Sequence, residues 1–184
     1  DILLITPPFT QLNTPYPATA YLKGFLNTQK ISAFQMDLGI EVILELFSRK
    51  GLIALQPNLP INSYSENAQR IHSLWPDYCA TIDAVIRFLQ GHQPTLARQI
   101  CQDNFLPEAS RFSELDDLDW AFGEMGMQDK AKHLATLYLE DISDFITECI
   151  DENFGFSRYA EQLGRSANSF DEMHDYLHRA PTVI

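Results

Sequence analysis

The chain has 184 residues, 45% of them hydrophobic, and sets 13 Lys and Arg against 25 Asp and Glu for a formal net charge of -12. That length suffices for one generous domain, or a small domain carrying a large insertion. The acidic balance, with no basic cluster, excludes a nucleic-acid backbone as partner, and no apolar run approaches the roughly 20 residues of a membrane-spanning helix.

Ile2 to Ile5 is a short continuous apolar run, the pattern of a strand covered on both faces in a parallel sheet. Pro7 and Pro8 end it, because neither can donate to a ladder. Ala18, Tyr21, Leu22 and Phe25 then recur at helical spacing, and Ile31 to Leu38 alternates loosely as a second strand. Strand, helix and strand in under forty residues make a βαβ unit with parallel strands and a right-handed crossover. Gly39 is read as the turn after the second strand, and Ile40, Ile43, Leu44 and Phe47 mark a further helix ended by Lys50-Gly51.

Beyond it, Pro57 and Pro60 mark an extended linker over 52 to 64, and no strand pattern recurs before residue 180. Two long helices show their stripes: Tyr78, Ile82, Val85, Ile86 and Leu89, then Leu134, Tyr138, Ile142, Phe145, Ile146 and Cys149. Opposite the second stripe, Glu140, Asp144 and Glu148 form a like-charged row expected to face water. Shorter helices are expected at 66 to 75, 94 to 104, 114 to 122, 156 to 164 and 170 to 179, with Ser113, Ser157 and Ser169 as caps. The fold expected is therefore α/β and mostly helical: a small parallel sheet from an incomplete Rossmann-like βαβ unit over 1–51, a helical insertion over 52–180, and the start of a further strand at 181–184. Two strands do not make a stable sheet, so partner strands are expected from the tail or from additional sequence. An opening at Asp1 without leader features and a close on Pro181-Thr182-Val183-Ile184 read as a piece of a longer polypeptide.

The opening stretch resembles the amino-terminal part of cobalamin-binding-type radical S-adenosylmethionine proteins, which are iron-sulfur oxidoreductases or methyltransferases. The resemblance lies in the strand Ile2 to Ile5, the Pro7-Pro8 pair, the helix segment Ala20-Tyr21-Leu22-Lys23-Gly24-Phe25-Leu26 and the strand end Asp37-Leu38. The later segment Phe154 to Leu163 is similar to a stretch in one branch of that family. The resemblance implies a Rossmann-like cobalamin domain ahead of a barrel that binds S-adenosylmethionine and a 4Fe-4S cluster on C-x-x-x-C-x-x-C. That motif is missing from these 184 residues, as is the D-x-H-x-x-G that supplies histidine to cobalt in other cobalamin domains. The resemblance thus implies that cobalamin belongs to the whole protein, that cluster and S-adenosylmethionine belong to sequence further on, and that the partner is the remainder of the same polypeptide.

Carried over residue by residue, the family's ligand-facing loop falls on Thr6, Pro7, Pro8, Asn13, Thr14 and Pro15, with Asp37 at the end of the next strand. This loop contains no glycine and is no phosphate cradle. The alternative is a plain connector, with the prolines stopping a strand and Asn13-Thr14 capping a turn.

Other residues carry weaker chemistry. His174 and His178, four apart on a helix near Asp171 and Asp175, have the spacing of metal ligands or of two exposed imidazoles on an acidic helix. Asp116, Asp117 and Asp119, before Trp120, and the pair Asp151-Glu152, at the end of the long helix, read as solvated turns or helix starts rather than acid-base pairs. Trp75, Trp120, Tyr138 and Phe145 read as core, while Gly155, Ser157, Arg158 and Tyr159 serve equally as a local cap with an ion pair or as a ligand contact. Cys79, Cys101 and Cys149, odd in number and widely spaced, fit buried thiols in a reducing cytoplasm. Besides the cobalamin-domain assignment, two other functions fit the sequence: a helical protein-interaction or scaffold module without catalysis, and a metal hydrolase built on the histidine helix.

Overall fold

The computed structural model describes residues 1–7, 17–55, 63–102, 104–113, 126–152, 154–156 and 169–178. The chain divides into two units, Asp1–Leu44 with Gly155–Ile184, and Glu45–Phe154. Mostly helical with one small parallel sheet, it has the expected class.

In the first unit, strand β1 (Ile2–Thr6) pairs in parallel with β2 (Ala33–Asp37), and helix α1 (Ala18–Thr28) makes the connection. Ile2 lies opposite Ala33 and Thr6 opposite Asp37. Side chains alternate across a strand, so Leu3, Ile5, Phe34 and Met36 share one face, and all four are exposed, by 37 to 59%. Thr6 and Ala33 share the other face and are buried; α1 contacts both strands. Helix α1 also leaves Tyr21, Leu22 and Phe25 largely exposed.

The end of α1 uses a left-handed residue. Lys30 has φ 58°, its N–H donates to Asn27 O, and Ile31 N–H reaches back to Leu26 O, both at 3.0 Å. This is the six-to-one and five-to-two pattern of a Schellman cap, built here without glycine.

Helix α2 (Leu38–Leu46) starts immediately after β2, so Gly39 lies in its first turn and not in a loop. The helix does not run on to Lys50-Gly51: Phe47 and Ser48 interrupt it, and α3 (Arg49–Ala54) begins anew. The Ser48 hydroxyl accepts from Gly51 N at 3.0 Å and Asp83 accepts from Arg49 N at 2.8 Å, so the first amides of α3 are satisfied by side chains. Gly51 continues this helix because the preceding turn passes too close for a side chain. A Cβ there would meet the carbonyl oxygens of Glu45 and Leu46 and lie 2.8 Å from the Leu46 carbonyl carbon. Part of the expected linker is thus helical, while residues 56–62 lie outside the described residues.

The second unit continues with α4 (Glu66–Ser73), α5 (Trp75–Leu89), a 3-10 turn at Pro94–Leu96, α6 (Ala97–Ile100), a second 3-10 turn at Ser110–Phe112 and the long α7 (Met127–Cys149). The apolar stripes read in the sequence meet: α7 packs against α4, α5 and α6, and α3 packs on α5. Tyr78, Ile82 and Val85 of α5 and Tyr138, Ile142, Phe145 and Ile146 of α7 are completely buried. Trp75 stands 4.9 Å from the Phe145 ring and donates its indole N–H to Leu52 O at 3.1 Å, so a large apolar body is buried with its polar tip satisfied. Helix α5 ends at Gly91, φ 81°, in the same Schellman pattern as α1.

Helix α8 (Phe170–His178) is the last described element and belongs to the first unit. The helix expected at 114 to 122, the helix expected at 156 to 164 beyond Phe156, the cap at Ser157, the tail strand at 181–184, and Asp116, Asp117, Asp119, Trp120, Arg158 and Tyr159 lie outside the described residues. Among the described residues no helix is long and apolar enough to cross a membrane.

Candidate functional site

At the carboxyl edge of the sheet, where open α/β folds bind ligands, register places Thr6 beside Asp37. Thr6 is 2% exposed, so its side chain is enclosed at the strand end. The Asp37 carboxylate accepts from Ile40 N at 3.3 Å and so caps α2. Pro7 stands exposed at the start of the connecting loop, while Pro8, Asn13, Thr14 and Pro15 lie outside the described residues. The structure thus brings Thr6, Pro7 and Asp37 to one edge. A cobalamin would need contacts for its corrin amides and a second wall beyond β1, whereas the described edge offers an enclosed Thr6, a proline and an aspartate that caps α2. The described residues alone do not form a cradle for that group.

The histidine pair of α8 does not form a ligand set. His178 Nδ1 is 2.7 Å from the carbonyl of His174 and the rings stack at 4.2 Å, so one ring nitrogen is committed to the backbone. Asp175 lies 3.8 Å from His174 at an exposed position. No group of three metal-binding side chains occurs among the described residues.

The second unit holds a polar centre that the sequence did not single out. Asp141, on the buried face of α7, is completely enclosed. Its carboxylate accepts the backbone N–H of Ala109 at 3.1 Å and of Arg111 at 3.2 Å, and the Tyr78 hydroxyl approaches to 3.5 Å. Burial pushes the Asp141 carboxyl up to about 6, against the two backbone N–H groups, which pull it down. Burial also pushes the hydroxyls of Tyr78 and Tyr138 far above their ordinary range. Tyr138 donates to the Tyr78 carbonyl at 3.0 Å and meets Thr81 at the same distance. Between the two Asp141 bonds, Ser110 N donates to Asn67 at 3.0 Å. Three successive amides of one turn are thus held by side chains of α4 and α7.

The acidic row beside Asp141 is not simply solvated. Arg111 forms a fork on Asp144, at 2.8 and 2.9 Å, and lies 3.7 Å from Glu140. Glu148 accepts from both the backbone N–H and the hydroxyl of Ser65, at 2.7 and 2.8 Å, at the start of α4. Each carboxylate of the row has a partner from another segment. A signal for Asp141 was present in the sequence: it is the one carboxylate inside the apolar stripe, adjacent to Ile142 and three residues after Tyr138. Periodicity reports only that such a position is buried; the partner amides come from a segment thirty residues away.

Burial raises all three thiols, Cys149 up to about 11, so the reactive thiolate is disfavoured. An open groove of about 400 Å³ lies between α4, α5 and the segment 104–108, lined by Arg70, Asp77 and Thr81 on the helical side and Phe105 and Leu106 on the other. Arg70 Nε donates to the Glu108 carbonyl at 2.7 Å across it.

Comparison with known proteins returned no match: no family model, no curated protein and no solved structure aligned with the chain.

Proposed function

We propose that the chain contributes the first βαβ unit of a Rossmann-like cobalamin domain to a radical S-adenosylmethionine enzyme of the cytoplasm, and carries no catalytic cluster itself. The observation behind this reading is the parallel β1–β2 pair whose face at Leu3, Ile5, Phe34 and Met36 lies open. Parallel sheets bury both faces beneath helices, so a pair this exposed calls for further strands and helices. The sequence resemblance names the class that would supply them. Thr6, Pro7 and Asp37 then form one edge of the cleft; the second wall and the corrin contacts come from the added strands.

The test joins the chain to the remainder of its natural polypeptide and adds hydroxocobalamin. A shifted visible spectrum for the joined protein, and none for the chain alone, is the expected result. An unchanged spectrum for both rejects the cobalamin assignment.

A second reading is favoured by the helical unit, whose core closes on itself around Tyr78, Tyr138 and Phe145. In it the chain is an interaction or scaffold module without catalysis, and Asp37 is only a helix cap. Association with the remainder without any cobalamin spectrum supports this alternative.

A further inference from the structure

The turn at Ser110–Phe112 ends a segment, 104–113, whose first half, 104–108, forms one wall of the groove at Arg70, Asp77 and Thr81. Two kinds of contact hold it down. Leu106 and Ala109 are buried apolar anchors, 5% exposed each. The backbone amides of Ala109 and Arg111 end on the enclosed carboxylate of Asp141. We propose that segment 104–113 is a flap on this groove and that Asp141 is its pH-dependent latch, which holds more tightly when protonated than when charged.

The chemistry of the latch supports either protonation state. The Asp141 oxygen nearest Tyr78 also takes the Ala109 amide, and the other oxygen takes the Arg111 amide. A protonated carboxyl keeps an acceptor lone pair on each oxygen for one amide. The Tyr78 hydroxyl can reverse its role and accept the new proton. A charged carboxylate makes the same contacts but must stay desolvated, and desolvation is the dominant influence on it. Lifting the flap admits water and removes that penalty.

The direction follows from proton linkage. Burial in the closed state pushes the Asp141 carboxyl up to about 6, from its ordinary 3.8 once solvated. Between these values the closed form holds a proton that the open form has lost, so raising the pH drives opening. Opening is pH-independent well below about 4, rises through the window and levels off above about 6; just over two pH units of difference correspond to on the order of a 100-fold change in the opening constant.

The other ionisable groups around the latch are defined. Tyr78 faces it from α5, and Arg111 from the turn. From α4, Arg70 reaches the Glu108 carbonyl and acts on Tyr78. Glu140, Tyr138 and Asp144 lie on α7 itself, with Arg111 between the two carboxylates. Just after α6 the adjoining group is Cys101, bonded to Met127 O at the far end of α7. His72 of α4 lies against the Phe145 ring, one turn from Asp141, and is the histidine to control for.

The experiment is amide hydrogen exchange on the full chain from pH 4 to pH 7, corrected for intrinsic exchange rates, with the Asp141 carboxyl carbon followed by NMR. The opening constants for Ala109 and Arg111 are expected to rise on the order of 50-fold across the range, the rest of the change lying below pH 4. The carboxyl carbon is expected to titrate near 6, Asp141→Asn to flatten the profile, and His72→Gln to leave it unchanged. A flat wild-type profile, a carboxyl midpoint near 4, or a profile that His72→Gln abolishes each overturns the proposal. The wild-type measurements decide the matter even if Asp141→Asn fails to fold. They are independent of whether the chain binds cobalamin.

Discussion

In the helical unit Trp75, Tyr138 and Phe145 are nearly or wholly enclosed, whereas in the βαβ unit Tyr21, Phe25 and Phe34 are 59 to 79% exposed. Both sets lie on stripes that look equally amphipathic in sequence. The difference is the number of elements available to cover them. Among the described residues α7 packs on α4, α5 and α6, while α1 contacts both strands and Leu3 and Phe34 are left more than half exposed. Apolar periodicity therefore tells which face wants burial, and only the count of neighbouring elements tells whether it is satisfied.

The largest test of that contrast compares two phenylalanines. Phe145→Ala removes a fully buried ring against Trp75 and is expected to cost about 3–5 kcal/mol in denaturant unfolding of the helical unit. Phe34→Ala, at a ring already in water, is expected to cost under about 1 kcal/mol. Equal costs would mean that the exposed sheet face is covered in solution, and would remove the main support for a partial domain.

A smaller effect is expected at the start of the helical unit. Gly51→Ala places a methyl against backbone carbonyls of Glu45 and Leu46, atoms that cannot rotate away. Alanine is the better helix former by about 1 kcal/mol, but forced overpacking costs about 1–3 kcal/mol, so a lower melting temperature is the expected outcome. A raised melting temperature would show that the turn between α2 and α3 is looser than the carbonyl approach requires.

These positions also mark what the sequence could and could not convey. The parallel βαβ unit was legible because Ile2 to Ile5, the α1 stripe and Ala33 to Asp37 each carry their period locally, within forty residues. The helices Trp75–Leu89 and Met127–Cys149 were legible for the same reason, apart from their first turns. A glycine just past an apolar run signals a helix end, but Gly51 answers a close approach by a carbonyl six residues earlier, which no local pattern reports. Asp37 was assigned by resemblance to ligand contact, and its local chemistry, an aspartate three residues before an amide at a helix start, equally describes the cap that is observed. Asp141 required the fold: its partners Ala109 and Arg111 sit on a turn whose sequence says nothing about which carboxylate it will meet.

The smallest predicted effect compares the two helix ends directly. Helices α1 and α5 close with the same hydrogen-bond pattern, yet α5 places Gly91 at the left-handed position and α1 places Lys30 there. A side chain pays about 1–2 kcal/mol for that backbone conformation, which glycine avoids, and glycine returns part of it through greater freedom in the unfolded chain. Lys30 is exposed, so its replacement removes no buried contact. Lys30→Gly is therefore expected to stabilise the βαβ unit by about 0.5–1 kcal/mol, read as slower amide exchange at Lys30→Gly and Ile31 relative to the wild type. The reciprocal change, Gly91→Lys, should destabilise α5 by a similar amount, with open space around the site leaving backbone conformation as the cause. If Lys30→Gly were instead destabilising, the first unit would have to use the lysine side chain for a contact of its own, and the exposed surface around Ile31 and Phe34 would no longer count as vacant.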